Sequence, residues 1–213
     1  MYCPAHFQQN DPDALLALMH QHPLATVVRH SAGGVFEADH IPVMHQAVAG
    51  TLGCLRGHVA KANPLWQSAT EQELLLVFQG PSAYITPSWY ESKTANGKVV
   101  PTWNYAVVHA HCTLRAVHEP QALRQLVSDL SQRHEAGLPH PWRLDEAPPA
   151  YIDTMLQHIV GVEFTIHRLQ GKFKVGQNQP EQNQRSLVQA LEGQGSDAHQ
   201  GLAALLQAHR RGP

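Results

Sequence analysis

The sequence predicts an α+β protein, mainly β, in which an antiparallel barrel of roughly six strands carries peripheral helices. Three observations carry this. Strand-forming runs follow one another from residue 24 to residue 117 with short polar breaks, leaving no room for the helical crossovers of a parallel sheet. The first of those breaks holds Gly33-Gly34, a pair suited to a tight hairpin. Strong helical periodicity, by contrast, lies near the start of the chain and beyond Pro120.

The opening helix is signalled by Asp11-Pro12-Asp13, a cap followed by a proline at the first helical position, and by an apolar stripe of Leu15, Leu16, Leu18 and Met19. Pro23 ends it. LATVVRH (24–30), VFEADHIPVM (35–44) and TLGCLRGHV (51–59) then read as strands. After a break at Ala62-Asn63-Pro64, ELLLVFQG (73–80) is a compact apolar run fitting a buried strand, and AVVHAHCTLRAV (106–117) is a longer one. Pro120 opens an amphipathic helix with Leu123, Leu126, Val127 and Leu130 at i, i+3, i+4 and i+7. PWRLDEAPP (141–149) is a connection, residues 150–158 read as helix, and GVEFTIHRLQG (161–171) is the last strand. Helices are then expected from Gln182 to Leu191 and, after the loose EGQGSD, from Leu202 to His209. This gives one barrel domain over 1–192 and a poorly anchored tail over 193–213 with a short helix.

Composition narrows the function classes. An apolar fraction of 43% and a mean hydropathy of -0.30 describe a globular chain, and no apolar run approaches the roughly 18 residues that span a bilayer. The start, MYCPAHFQQNDPDALL, lacks the basic and apolar regions of a secretory signal. Cys3, Cys54 and Cys112 are an odd, scattered set that makes no disulfide framework, so a reducing cytoplasm is expected. The net charge of -2 comes from 15 basic and 17 acidic residues with no basic block, which argues against a nucleic-acid surface. Protonating all 16 histidines would carry it to +14, so any polyanion binding should be pH-sensitive.

The common dinucleotide and nucleotide loops are absent, as are H-E-x-x-H and paired C-x-x-C motifs. His109 and His111 share a strand face, but no carboxylate stands at ligand spacing and no metal site is expected. In GHVAKANP (57–64) a strand ends near His58, Lys61 follows, and Asn63-Pro64 begins a turn or helix whose amides, with the lysine, suit a phosphate; an ordinary capped turn is the simpler reading. GKFKVGQN (171–178) alternates two lysines and then offers two amides, matching phosphate and heterocycle edges, or a solvated strand end. The stretch PSWYESKTANGKVVPTWNY (87–105) holds two near-copies, Pro87-Ser88-Trp89 and Pro101-Thr102-Trp103, stiffened by prolines. Such corners suit stacking on a planar ligand or burial in a dimer interface, with SKTANGK between them as an exposed flap.

Together MYCPAHF, PLATVV, EADHIPV, GHVAKANPLW, FQGPSAYITPSWYESK, VVPTWNYAVVHA and IVGVEFTIHRLQGKFKVGQN resemble the PaiB family. Its members are described as FMN-binding negative transcriptional regulators within the pyridoxamine-phosphate-oxidase-like split-barrel group. The resemblance runs from residue 1 to about 190. It implies a split β-barrel homodimer with flavin mononucleotide (FMN) held at or near the subunit interface. Its phrases place His58, Lys61 and Asn63 in one cofactor-binding segment, with Lys61 as phosphate candidate; Trp89, Tyr90 and Lys93 in a second; Thr102, Trp103, Asn104 and Tyr105 in a third; and Lys172, Gln177 and Asn178 in a fourth. The chain departs from the pattern where a serine is expected at Gly176 and a basic residue at Gln179. The resemblance implies a regulator or a small flavin-dependent oxidoreductase. Haem is the alternative cofactor, since related split barrels use the same cleft and this chain is rich in histidine. No side chain stands out as an acid or base, so no catalytic residue is assigned. With no helix-turn-helix visible and a slightly negative charge, direct DNA binding is not expected.

Overall fold

The computed structural model describes residues 1–31, 33–68 and 72–211. In chain order these form β1 (Gln8–Gln9), α1 (Pro12–Gln21), β2 (Leu24–His30), β3 (Phe36–Pro42), β4 (Met44–Gln46), β5 (Cys54–Ala60), α2 (Leu65–Ser68) and β6 (Leu74–Ile85). There follow α3 (Ser92–Asn96), β7 (Thr102–Val117), α4 (Pro120–Glu135), α5 (Pro149–Leu156), β8 (Ile159–Lys174), α6 (Glu181–Glu192) and α7 (Asp197–Arg211). The strands make one eight-stranded sheet ordered β3-β2-β6-β7-β8-β5-β4, with β1 added beside β8. β2 pairs antiparallel with β3 and β6, and β8 does so with β5 and β1.

Two strands exceed the expected six because β1 has two residues and β4 three, too few for a period to show. β6 also runs past Pro81 to Ile85, where the sequence suggests an end at 80. β2 pairs with β6 only at Leu75, Leu76 and Val77, so on that side no carbonyl waits for the N–H that Pro81 lacks.

The chain divides into two compact units, to both of which β6, β7 and β8 contribute residues. One comprises Met19–Phe78 and His109–Leu169. Its core joins Ala25 and Val27 of β2, Leu55 of β5, Leu74, Leu76 and Phe78 of β6, and Val162 and Phe164 of β8. Leu123, Leu126 and Leu130 of α4, predicted as one stripe, close over it.

The other unit comprises Met1–Leu18, Gln79–Val108 and Gln170–Pro213. Its helical part corrects the expectation of a loosely held tail. α6 buries Leu187 and Leu191 and α7 buries Leu202 and Leu206, each pair spaced i, i+4, and the two helices pack on one another. α7 also starts at Asp197, earlier than the apolar run alone suggests, because Ser196 and Asp197 open it. Among the described residues no helix is long and apolar enough to cross a membrane.

Candidate functional site

From Thr102 to Leu114 β7 alternates strictly. Asn104, Ala106 and Val108 point into the core of their unit, and Trp103, Tyr105 and Val107 point the other way. On the neighbouring strand β8, Phe173 goes inward, as does Val175 just past its end, leaving Lys172 and Lys174 outward. Two lysines therefore stand beside two aromatic residues. Lys172 Nζ donates to the Tyr2 carbonyl at 3.1 Å and lies 5.3 Å from the Tyr105 ring centroid and 5.7 Å from that of Tyr2. Lys174 Nζ donates to Thr102 Oγ1 and, at 2.6 Å, to the Trp103 carbonyl. Tyr84 meets Trp103 edge-on with ring centroids 6.3 Å apart. Trp103 is 57% exposed and Tyr84 50%, so the aromatic surface is open.

Burial, and after it the charge of Lys172, lowers the Lys174 pKa from its ordinary 10.5. An anion between the two ammonium groups would relieve that repulsion. Each ammonium has three donors and spends one or two on the chain, so donors remain for a ligand.

Behind this face Asn104 is 1% exposed and its Nδ2 has no hydrogen-bond partner. Gly176 approaches it closely. Its φ is +99°, and a Cβ there would lie 2.8 Å from Leu187 Cδ2 and 3.4 Å from Asn104 Nδ2. A serine, expected from the family pattern, would be strained and crowded against α6. Gln179 is likewise explained: its Oε1 accepts from Asn183 Nδ2 at 3.2 Å, a bond a basic side chain could not accept. Gln177 is used by its own turn, accepting from Val175 N–H at 2.9 Å and donating to the Phe173 carbonyl, and Asn178 is exposed.

The two near-copies fold differently. Pro87–Trp89 is a 3-10 turn capped by Thr86, whose Oγ1 accepts from Ser88 N–H at 3.3 Å, whereas Pro101 leads straight into β7. Trp89 meets His199 of α7 edge-on at 5.9 Å, and Tyr90 is buried, which raises its phenol pKa. The expected flap between them contains the helix α3, on which Lys93 bonds Ser88 Oγ at 2.9 Å. Asn183 of α6 anchors this segment: its Oδ1 accepts from Ser92 N–H at 3.0 Å and its Nδ2 donates to Ser92 Oγ at 2.8 Å. The first corner thus serves as a docking point on α6 and α7, and only the second belongs to the lysine face.

The remaining three candidates lie in the other unit. Asn63 caps α2, its Oδ1 accepting from Leu65 N–H at 2.8 Å and its Nδ2 donating to Asp39 at 2.7 Å. Lys61 donates its N–H to the His158 carbonyl at 2.8 Å, while its ammonium has no partner among the described residues. His58 faces Gly161 across β5 and β8, and its Nδ1 is buried without a hydrogen bond. Burial lowers its pKa below the ordinary 6.5, as it does for His20, His22 and His109. The folded state therefore binds fewer protons than the unfolded chain, and this stabilisation is complete above pH 6.5 and lost as pH falls through the folded pKa. Unfolding free energy should drop between about pH 7 and pH 5, and His58→Leu should flatten that slope in denaturant titrations. An unchanged slope would remove His58 from the account.

Among the described residues no three His, Cys, Asp or Glu side chains group to hold a metal. Sequence reasoning singled out the alternation of Lys172 and Lys174 but carried only Lys172 into the candidate set, and it missed Tyr84 and Tyr2 as parts of the face.

Residues 1–168 match a family model described as "Putative FMN-binding domain". The chain belongs to this family, the PaiB type. An uncharacterized protein of Emericella nidulans is 32% identical over 97% of this chain and 96% of its own length. Protease synthase and sporulation protein PAI 2 of Bacillus subtilis is 26% identical over 97% of each chain. Among solved structures, the flavocytochrome Anf3 from Azotobacter vinelandii aligns with a TM-score of 0.60 at 12% identity, over 78% of this chain and 69% of that one. The FAD and heme binding protein from Mycobacterium smegmatis aligns with a TM-score of 0.57 at 16% identity, over 79% and 73%. At these identities the likeness is one of fold, and the PaiB-type chain has the FMN-type split barrel, an antiparallel sheet with helices.

Proposed function

We propose that this protein binds FMN on the face made by Trp103, Tyr105, Lys172 and Lys174, and that it acts as a flavin-dependent redox or regulatory module. The observation that carries the reading is the placement of two outward lysines of β8 beside two outward aromatic residues of β7. The donor set fits the group. Lysine ammonium groups match a phosphate, and aromatic faces match a planar ring. Lys172 and Lys174 lie beyond the residues matched to the family, so their assignment rests on geometry. When bound, FMN supplies the electron-transfer chemistry, and the chain supplies binding, orientation and shelter from water.

The same surface supports reading the protein as a homodimer. Trp103 and Tyr84 are too exposed to shelter a ring from water alone, and a second copy laid on this face would cover them. Cys3, Cys54 and Cys112 are free, which fits the reducing cytoplasm inferred for the protein. If the protein regulates transcription, its charge of -2 favours control through flavin state or a partner over direct DNA contact.

FMN titration of the purified protein should give a shifted flavin spectrum, saturating near one flavin per chain. No spectral change and no calorimetric heat would sink the assignment. A Soret band on haemin addition in place of a flavin signal would move it to haem, which needs an axial ligand from the histidine set.

A further inference from the structure

A cleft of about 510 Å³ opens beside Lys61, between the start of α4, α5 and the first residues of β8. Its apolar wall is Leu123, Leu156, Ile159 and Val160. Its charged groups are Lys61, Arg124 and Asp153, with the His118 ring beside them. Arg124 is already matched, since its Nη2 bonds Asp153 Oδ1 at 2.5 Å. The Lys61 ammonium has no partner among the described residues, and the backbone of Lys61 is fixed from two sides. Its N–H bonds the His158 carbonyl at 2.8 Å and its carbonyl accepts from Trp66 Nε1 at 3.0 Å. Trp66 also meets His118 edge-on at 5.2 Å, holding that ring beside the cleft. With one cation neutralised and the other without a partner among the described residues, the cleft's described lining carries an unbalanced positive charge above an oily wall.

The geometry points to a second ligand site here, for an amphiphilic monoanion: an acidic head group on Lys61 and an apolar body along Leu123, Leu156 and Ile159. None of Trp103, Tyr105, Lys172 and Lys174 takes part, so the site is separate from the proposed FMN face, and competition with FMN is the result that would join the two. A volume of this size holds a medium-chain or aromatic acid.

Octanoate is the probe. Calorimetry on the full chain should show binding that strengthens by about fourfold per methylene from butyrate to octanoate. Methyl signals of Leu123, Leu156 and Ile159 should shift. Lys61→Ala should weaken octanoate by about fivefold, the order of one partly exposed ion pair, while Lys98→Ala leaves it unchanged. Leu156→Gln should abolish the chain-length dependence and keep the fold, because Leu156 is only half-buried. Saturating FMN should not alter the octanoate affinity. The proposal is overturned if affinity is flat in chain length, if the methyl signals do not move, or if Lys61→Ala has no effect. It is also overturned if FMN competes with octanoate, which would assign Lys61 to the flavin phosphate instead. The flavin spectrum is a separate readout, so loss of this site would leave the FMN result intact.

Discussion

The double variant Lys172→Ala/Lys174→Ala should lose FMN affinity by at least about 100-fold, the effect of removing two charge-assisted contacts to one phosphate. The expected loss is more than additive. Lys174 bonds Thr102 Oγ1 and the Trp103 carbonyl, so its removal also frees the strand end that presents the Trp103 ring. Lys172 in turn sits over the Tyr105 ring, and its single variant should weaken binding without moving Trp103. Fluorescence quenching of FMN titrated into each variant measures this, with Lys93→Ala as a control because the Lys93 ammonium bonds Ser88 Oγ, away from the lysine face. A double variant that keeps its circular dichroism and binds FMN within threefold of the parent would locate the flavin elsewhere.

The second large effect concerns stability. Asn183 is 1% exposed and satisfies the Ser92 backbone N–H, the Ser92 hydroxyl and the Gln179 amide. Asn183→Ala leaves a buried N–H without an acceptor and breaks a connected network, which should cost about 3 kcal/mol. For a chain of this size that is a fall in Tm of roughly 6–12 °C. Cleavage by a nonspecific protease should shift to residues 87–100, because α3 and the Trp89 turn lose their anchor on α6. Asn183→Asp keeps the acceptor for the Ser92 N–H and should lose less. If Asn183→Ala unfolds at the parent's midpoint, this network contributes nothing to the fold.

The parts of the fold written in local patterns could be read directly. β2 occupies residues 24–30 as expected, Pro12 and Pro120 open their helices, and the leucines of α4 line one buried stripe. What escaped depends on contacts far apart in the chain. Ser92 and Asn183 are separated by 91 positions, and nothing in SKTANGK itself says that a helix 90 residues later holds it down. The tail is similar. Leu202 and Leu206 announce a helix, but their burial depends on Leu187 and Leu191 presenting a matching stripe. The two Pro-x-Trp phrases show that alike sequences need not fold alike, since Thr86 caps one into a turn and β7 claims the other. Within the candidate face, Trp103, Tyr105 and Lys172 were legible. Tyr90, Asn63 and Gln177 look equally distinctive as residues, yet their polar or aromatic groups are taken up by core, cap and turn.

The two-residue rhythm of β7 has a bearing on how such a protein can diverge. Along this strand every second side chain from Asn104 to Leu114 is buried. Substitutions on the outward positions change the ligand face one side chain at a time and leave the interior alone. Loss or gain of a single codon within the strand does something else. It exchanges the interior and exterior sets at once, sending Trp103 and Tyr105 toward the core and Asn104 out. Lineages of this chain should therefore show length variation in the connection over 97–101, with substitutions but no indels between 104 and 114.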